Sequence, residues 1–300
     1  MRKMRQLCAI SGIGAMALGV MLLADGSRPT PAGMRIAPRR HAPMRIHQRR
    51  EDGNYESTNW AGYAVTGSKG AVTDVKASWT VPMAQCSTTY SNGYSSYWVG
   101  IDGWSSSTVE QIGTDSDCVS LSGTNNTPTY YAWFEFYPNP GYVIEFPKAV
   151  MPGHIISAEV TSAAATSSGP RGNSSNGGTK FTVTLTDVTT GYTFTTSTNV
   201  SRAQQTSAEW IVEAPCCGSG GEVLPLAPFG IADLGPDFTG VPKTGTATVS
   251  GKTGAISTFG ANVQQSVMVS ESSASTIKAQ PSALSADGSS FSVKWLNPGP

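Results

Sequence analysis

The stretch Tyr97 to Asp115, YWVGIDGWSSSTVEQIGTD, decides how this chain folds. Tyr97, Val99 and Ile101 alternate with Trp98, Gly100 and Asp102, the period of two that sends successive side chains to opposite faces of a strand. One face is apolar, and the other offers a tryptophan and a carboxylate. After a turn over Gly103 to Ser107, Val109 and Gln111 share one face of a second strand and Glu110 and Ile112 the other. Exposed sheet faces are usually Thr, Ser and Lys, so Trp and Gln in their place suggest a binding groove.

The same alternation recurs along the chain. STNWAGYAV carries Asn59 and Trp60, and KASWTVP supplies another strand. In TYYAWFEFYP, Trp133, Glu135 and Tyr137 share a face, while Ala132, Phe134 and Phe136 share the other. In SAEWIVEAP, Glu209, Ile211 and Glu213 alternate with Trp210 and Val212, and Pro215 ends the run. With 300 residues, 39% hydrophobic and 13% charged, short Val/Thr/Tyr/Phe runs punctuated by Gly, Asn and Pro indicate an all-β sandwich or barrel. Nothing marks a second globular domain.

The first 53 residues read differently. Arg2, Lys3 and Arg5 precede an apolar run to Ala24, the pattern of a secretory signal peptide over residues 1–24, with an uncleaved membrane anchor as the alternative. Residues 25–53 are rich in Pro, Met and Arg and lack apolar periodicity, which predicts a solvated basic segment. Beyond residue 50 stand 10 basic and 19 acidic residues, a balance of −9, so a basic leader precedes an acidic body over 54–300. Opposite charges attract, and acid would loosen the clasp by protonating carboxylates. A pro-segment therefore fits better than a nucleic-acid-binding arm, with a simple linker as the bland alternative.

Several chemistries are absent from the sequence. His41 and His47 fall in the leader, and His154, alone in the body, reads as a surface residue. No GxSxG, HExxH, paired Asp-Thr/Ser-Gly turns or phosphate-binding glycine loop occurs, so no metal or cofactor is expected. Carboxylates and amides are left to carry any reaction. The body cysteines Cys86, Cys118, Cys216 and Cys217 should be oxidised in an exported protein, with three connectivities open. Cys86–Cys118 would staple the opening stretch, and a bridge between the adjacent Cys216 and Cys217 is unusual but feasible.

The motif series TNWAGY, YWVGIDG, VEQIGTD, AWFEFYP and AEWIVE, in that order over roughly residues 54 to 295, resembles the glutamic peptidases, or eqolisins. The resemblance implies a two-sheet β-sandwich of the concanavalin A-like, jelly-roll type with its site on a concave face. It also implies a secreted, monomeric, pepstatin-insensitive acid endopeptidase made as a zymogen and acting on proteins or peptides, with no nucleic-acid partner. Carried over position by position, the catalytic pair falls on Gln111 and Glu213, with groove or supporting roles for Trp60, Trp98, Asp102, Asp115, Trp133 and Glu135. Tyr131 stands where some members carry an aspartate.

That pair has its own chemical logic. Glu213 as a carboxylate would take a proton from the attacking water and return it to the leaving amine, while the Gln111 amide stabilises the oxyanion. A neutral amide does this even in acid, where an imidazole base would be protonated. The rival is a carbohydrate-active jelly roll, lectin or glycosidase, with Glu135 and Glu213 as its two carboxyl groups. Such an enzyme has no need of Gln111.

Overall fold

In a computed structural model the structure describes residues 34–51, 53–86, 92–120, 126–164, 178–216 and 221–299. The expected signal segment, residues 25–33 and Cys217 lie outside them. Eighteen strands follow in order: β1 (Ile46–Arg49), β2 (Tyr55–Ser57), β3 (Trp60–Thr66), β4 (Val72–Thr80), β5 (Ser96–Ile101), β6 (Val109–Ser120), β7 (Asn126–Tyr137), β8 (Tyr142–Ile144) and β9 (Ile155–Ala164). After these come β10 (Thr179–Asp187), β11 (Tyr192–Val200), β12 (Ser207–Glu213), β13 (Ile231–Leu234), β14 (Thr246–Val249), β15 (Lys252–Ala255), β16 (Val263–Val269), β17 (Ile277–Pro281) and β18 (Phe291–Trp295). Among the described residues, no helix is long and apolar enough to cross a membrane.

The strands form one hydrogen-bonded network folded into two layers. One layer runs β8–β7–β6–β5–β12–β3–β16, all antiparallel, and β2 joins β16 in parallel. The other runs β11–β10–β9–β4 and continues into the β14–β15 and β13–β18–β17 pairs, with β17 returning to β16. Between the layers lies the main core, where Tyr97, Val99, Ile112, Phe134 and Trp210 of the first layer meet Val75, Trp79, Ile156 and Phe181 of the second. The period of two then dictates the rest: residues between these on the first layer point away from the core, onto the sandwich's other face. There Trp60, Trp98, Trp133, Tyr131 and Ile211 build a second apolar cluster. Two apolar clusters on opposite faces explain why these strands look hydrophobic throughout.

The leader departs from the expectation of a solvated arm. From Met34 onward it belongs to the same compact unit as the body. Ala37, His41 and Ala42 are buried, and β1 pairs antiparallel with β2. Its backbone supplies the pairing that its side-chain pattern does not advertise.

Candidate active site

Register places the polar residues in rows across β12, β5, β6 and β7. Glu209, Gly100, Gln111 and Glu135 stand abreast; one step along come Ile211, Trp98, Gly113 and Trp133; then Glu213, Ser96, Asp115 and Tyr131. All share the face of the second apolar cluster. Gly113 is required in the middle row because a Cβ there would lie 2.4 Å from the Tyr97 carbonyl oxygen and 2.6 Å from Trp98 Cβ. Its bare backbone gives room to the indoles of Trp98 and Trp133 on either side.

The groove is occupied by the leader, laid across it in extended form. The bridge Ile36 to Tyr142 and reciprocal backbone bonds between Arg40 and Cys216 hold one side. On the other side Met44 N–H donates to the Gly103 carbonyl, Arg45 N–H to Asn59 Oδ1, and Asn59 Nδ2 to the carbonyls of Ala42 and Pro43. Between these anchors, Gln111 Nε2 donates to the carbonyl oxygen of His41 at 2.6 Å. An amide N–H directed at a peptide carbonyl is the arrangement an oxyanion donor needs.

His41 was set aside in the sequence because it sits in the leader; the structure buries it completely in the site. Its ring stacks on Trp133 with centroids 3.4 Å apart and planes 2° from parallel. Nδ1 lies 3.3 Å from Glu135 Oε2, and Nε2 lies 3.1 Å from Ser96 Oγ and 3.4 Å from Asp115 Oδ1. The His41 N–H also donates to Glu135 Oε2 at 2.8 Å. Burial alone would push the imidazole down, but the carboxylates of Asp115, Glu135 and Glu213 outweigh it and raise its pKa to about 10. The ring is thus an imidazolium between carboxylates. A histidine in a basic leader that precedes an acidic body is the signal in the sequence.

Glu213 is fully buried, and its Oε2 accepts from Trp98 Nε1 at 2.8 Å. Burial holds its carboxyl well above the usual glutamate range, against the lowering pull of the His41 charge and the Trp98 hydrogen bond; Glu135 and Asp115 push it further up. Glu213 Oε1 and Gln111 Oε1 are both buried and have no protein hydrogen-bond partner. These are two acceptors suited to position a water.

The remaining candidates divide. Asp115 accepts from Trp133 Nε1 and from the Tyr131 hydroxyl, each at 2.6 Å, so Tyr131 joins this network and fixes both the indole and the carboxylate. Trp60 lies edge-on to Trp98, with centroids 4.9 Å apart. Asp102 is elsewhere. Its backbone turns to φ 72°, and its carboxylate accepts the backbone N–H groups of Gln204, Gln205 and Thr206, which ties down the loop before β12. Glu110 and Glu209 lie near Asp102, and burial raises both well above the usual carboxylate range.

Cys86 and Cys118 form a disulfide, and Cys216 is a buried free thiol. His154 is bound to Asp187 at 2.8 Å, so it is a partnered residue and not a free surface one. Among the described residues no cluster of three or more His, Cys, Asp or Glu could hold a metal ion.

Comparison with known proteins matches this architecture. The model of the Peptidase A4 family matches residues 58–279. A crystal structure of scytalido-glutamic peptidase with a transition state analog inhibitor is 22% identical with a TM-score of 0.59, covering 80% of this chain and 98% of that one. SCP-B, a member of the eqolisin family of peptidases in complex with the tripeptide Ala-Ile-His, is 22% identical with a TM-score of 0.55 over the same shares. No curated protein matches in sequence. Over those 58–279 residues the chain carries the family's pattern on the family's β-sandwich, and it belongs to the Peptidase A4 family, the glutamic peptidases or eqolisins.

Proposed function

We propose that the chain is a secreted acid endopeptidase whose reaction is carried by Glu213 and Gln111, and that it is made as a zymogen with its leader in the groove. The observation that carries this reading is the Gln111 amide donating to the peptide carbonyl of His41, with the buried carboxyl of Glu213 facing the same residue. The tripeptide bound by SCP-B, a related peptidase, agrees with a peptide as the natural occupant.

Glu213, once ionised, removes a proton from water held between its free Oε1 and Gln111 Oε1. The water oxygen attacks the carbonyl carbon, and Gln111 Nε2 follows the carbonyl oxygen as it gains charge. Glu213 then hands the proton to the leaving nitrogen. Trp98 holds the glutamate in place throughout, and the indoles of Trp60, Trp98 and Trp133 exclude bulk water, which strengthens these interactions. A carbohydrate reading gives Gln111 no task.

The test is digestion of denatured casein by acid-treated protein across acid to neutral pH, with pepstatin in parallel and Glu213→Gln beside it. Pepstatin-resistant cleavage in acid, lost in Glu213→Gln, is the expected result. A folded, leader-free protein that cuts nothing overturns the reading.

A further inference from the structure

Building on that peptidase reading, we propose that the pocket holding His41 is a subsite selecting histidine on the N-terminal side of the cleaved bond, and that His41–Ala42 is the bond the enzyme cuts in its own leader. The backbone is pinned on both sides of this bond, by Cys216 before it and by Asn59 and Gly103 after it. Gln111 then meets one carbonyl, that of His41. A segment held this way is presented as a substrate is, in extended form with one carbonyl on the oxyanion donor.

The pocket fits an imidazolium better than any other side chain. Trp133 offers a flat face, and a carboxylate stands at each ring nitrogen: Glu135 by Nδ1 and Asp115 by Nε2, with the Ser96 hydroxyl beside the latter. Phenylalanine would stack on the indole but make neither ring-nitrogen contact to Glu135 and Asp115. Lysine would bring charge without the flat, two-ended match. Asp115 does not depend on the occupant for its placement, because Trp133 Nε1 and the Tyr131 hydroxyl already hold it. A site built to hydrogen-bond a side chain discriminates strongly against one that cannot reply.

The step balances as hydrolysis. Water adds its oxygen to the His41 carbonyl carbon, the bond to the Ala42 nitrogen breaks, and the proton that Glu213 took from water goes to that nitrogen. A carboxylate is left on His41 and an amine on Ala42. In the docked state Glu213 is fully buried, so the seated bond survives until water reaches the glutamate.

The full chain is incubated in mild acid, the new N-terminus is read by mass spectrometry at two protein concentrations, and the activated enzyme is given quenched peptides differing only in His, Lys, Phe or Leu before an Ala-Pro pair. A chain beginning at Ala42 should appear at a rate independent of concentration, and His41→Leu should slow its appearance at least ~10-fold. The His peptide should exceed the Leu peptide at least ~10-fold in kcat/KM. Cleavage of peptides without preference for His, or removal of the wild-type leader with His41–Ala42 intact, overturns the proposal while the peptidase reading stands. Failure to cut any peptide or protein overturns both.

Discussion

Replacing His41 with alanine should free the leader from the groove, and the size of the effect follows from its contacts. The substitution removes a parallel stack on Trp133, about 0.5–1.5 kcal/mol. It also removes charge-assisted contacts to Glu135 at 3.3 Å and Asp115 at 3.4 Å, lengths at the weak end, so about 1 kcal/mol each. Two buried acids lose the imidazolium between them, with Arg40 Nε at 3.6 Å from Glu135 as the remaining charge, which adds to the loss. The sum is about 3–4 kcal/mol, or roughly a 10²–10³-fold rise in the open population. Hydrogen exchange in a Glu213→Gln background, where no cleavage intervenes, reads this directly. The Arg40, Met44 and Arg45 amides, all hydrogen-bonded in the groove, should lose protection by that factor while the Trp98 and Ile211 amides in the sheet keep theirs. A change below about threefold would refute the imidazolium as the anchor, since the two charge-assisted contacts alone are put at about 2 kcal/mol.

Three further outcomes are expected. Trp98→Phe keeps an aromatic ring but removes the N–H that lowers the Glu213 pKa, so the acid limb of kcat/KM should move to higher pH; an unmoved limb would separate Trp98 from the base. His41 is raised from 6.5 to about 10, so its contribution to leader docking is complete below about 6.5 and fades as pH rises through about 10. Exchange of the leader amides should therefore quicken, beyond its intrinsic pH dependence, between those limits. On the acid side, protonating the facing carboxylates of Asp115, Glu135 and Glu213 removes the same attraction, while the adjacent Arg40 keeps its charge. Reducing Cys86–Cys118, which spans 32 residues, should cost about 3–4 kcal/mol of stability on the chain-entropy account, measured by urea denaturation with and without reductant.

Much of the site was legible because strands advertise it. The alternation in SAEWIVE put Glu213 opposite Trp210, and the structure has Glu213 in the groove and Trp210 in the core between the layers. Trp98 and Trp133 were placed on the carboxylate face by the same count, and they flank Gly113 there. Asp102 followed the count on paper only: the chain leaves the strand at its positive φ and swings the carboxylate to the 204–206 backbone, which periodicity cannot register. The docked leader escapes periodicity for a related reason. A segment that docks through backbone pairing and one buried imidazolium shows no hydrophobic period, so composition alone marks it as solvated. Tyr131 was visible only as a departure from the family pattern; its hydroxyl proves to reach Asp115 across one strand pair.

The central claim, that Gln111 stabilises the oxyanion for a reaction driven by Glu213, is tested most directly by single-turnover cleavage of a His-Ala-Pro peptide with leader-free Gln111→Ala and wild type, both checked for an intact fold. Loss of one oxyanion donor predicts a fall of roughly 10²–10³-fold in the rate of the chemical step. A Gln111→Ala enzyme within a few-fold of wild type would contradict the account.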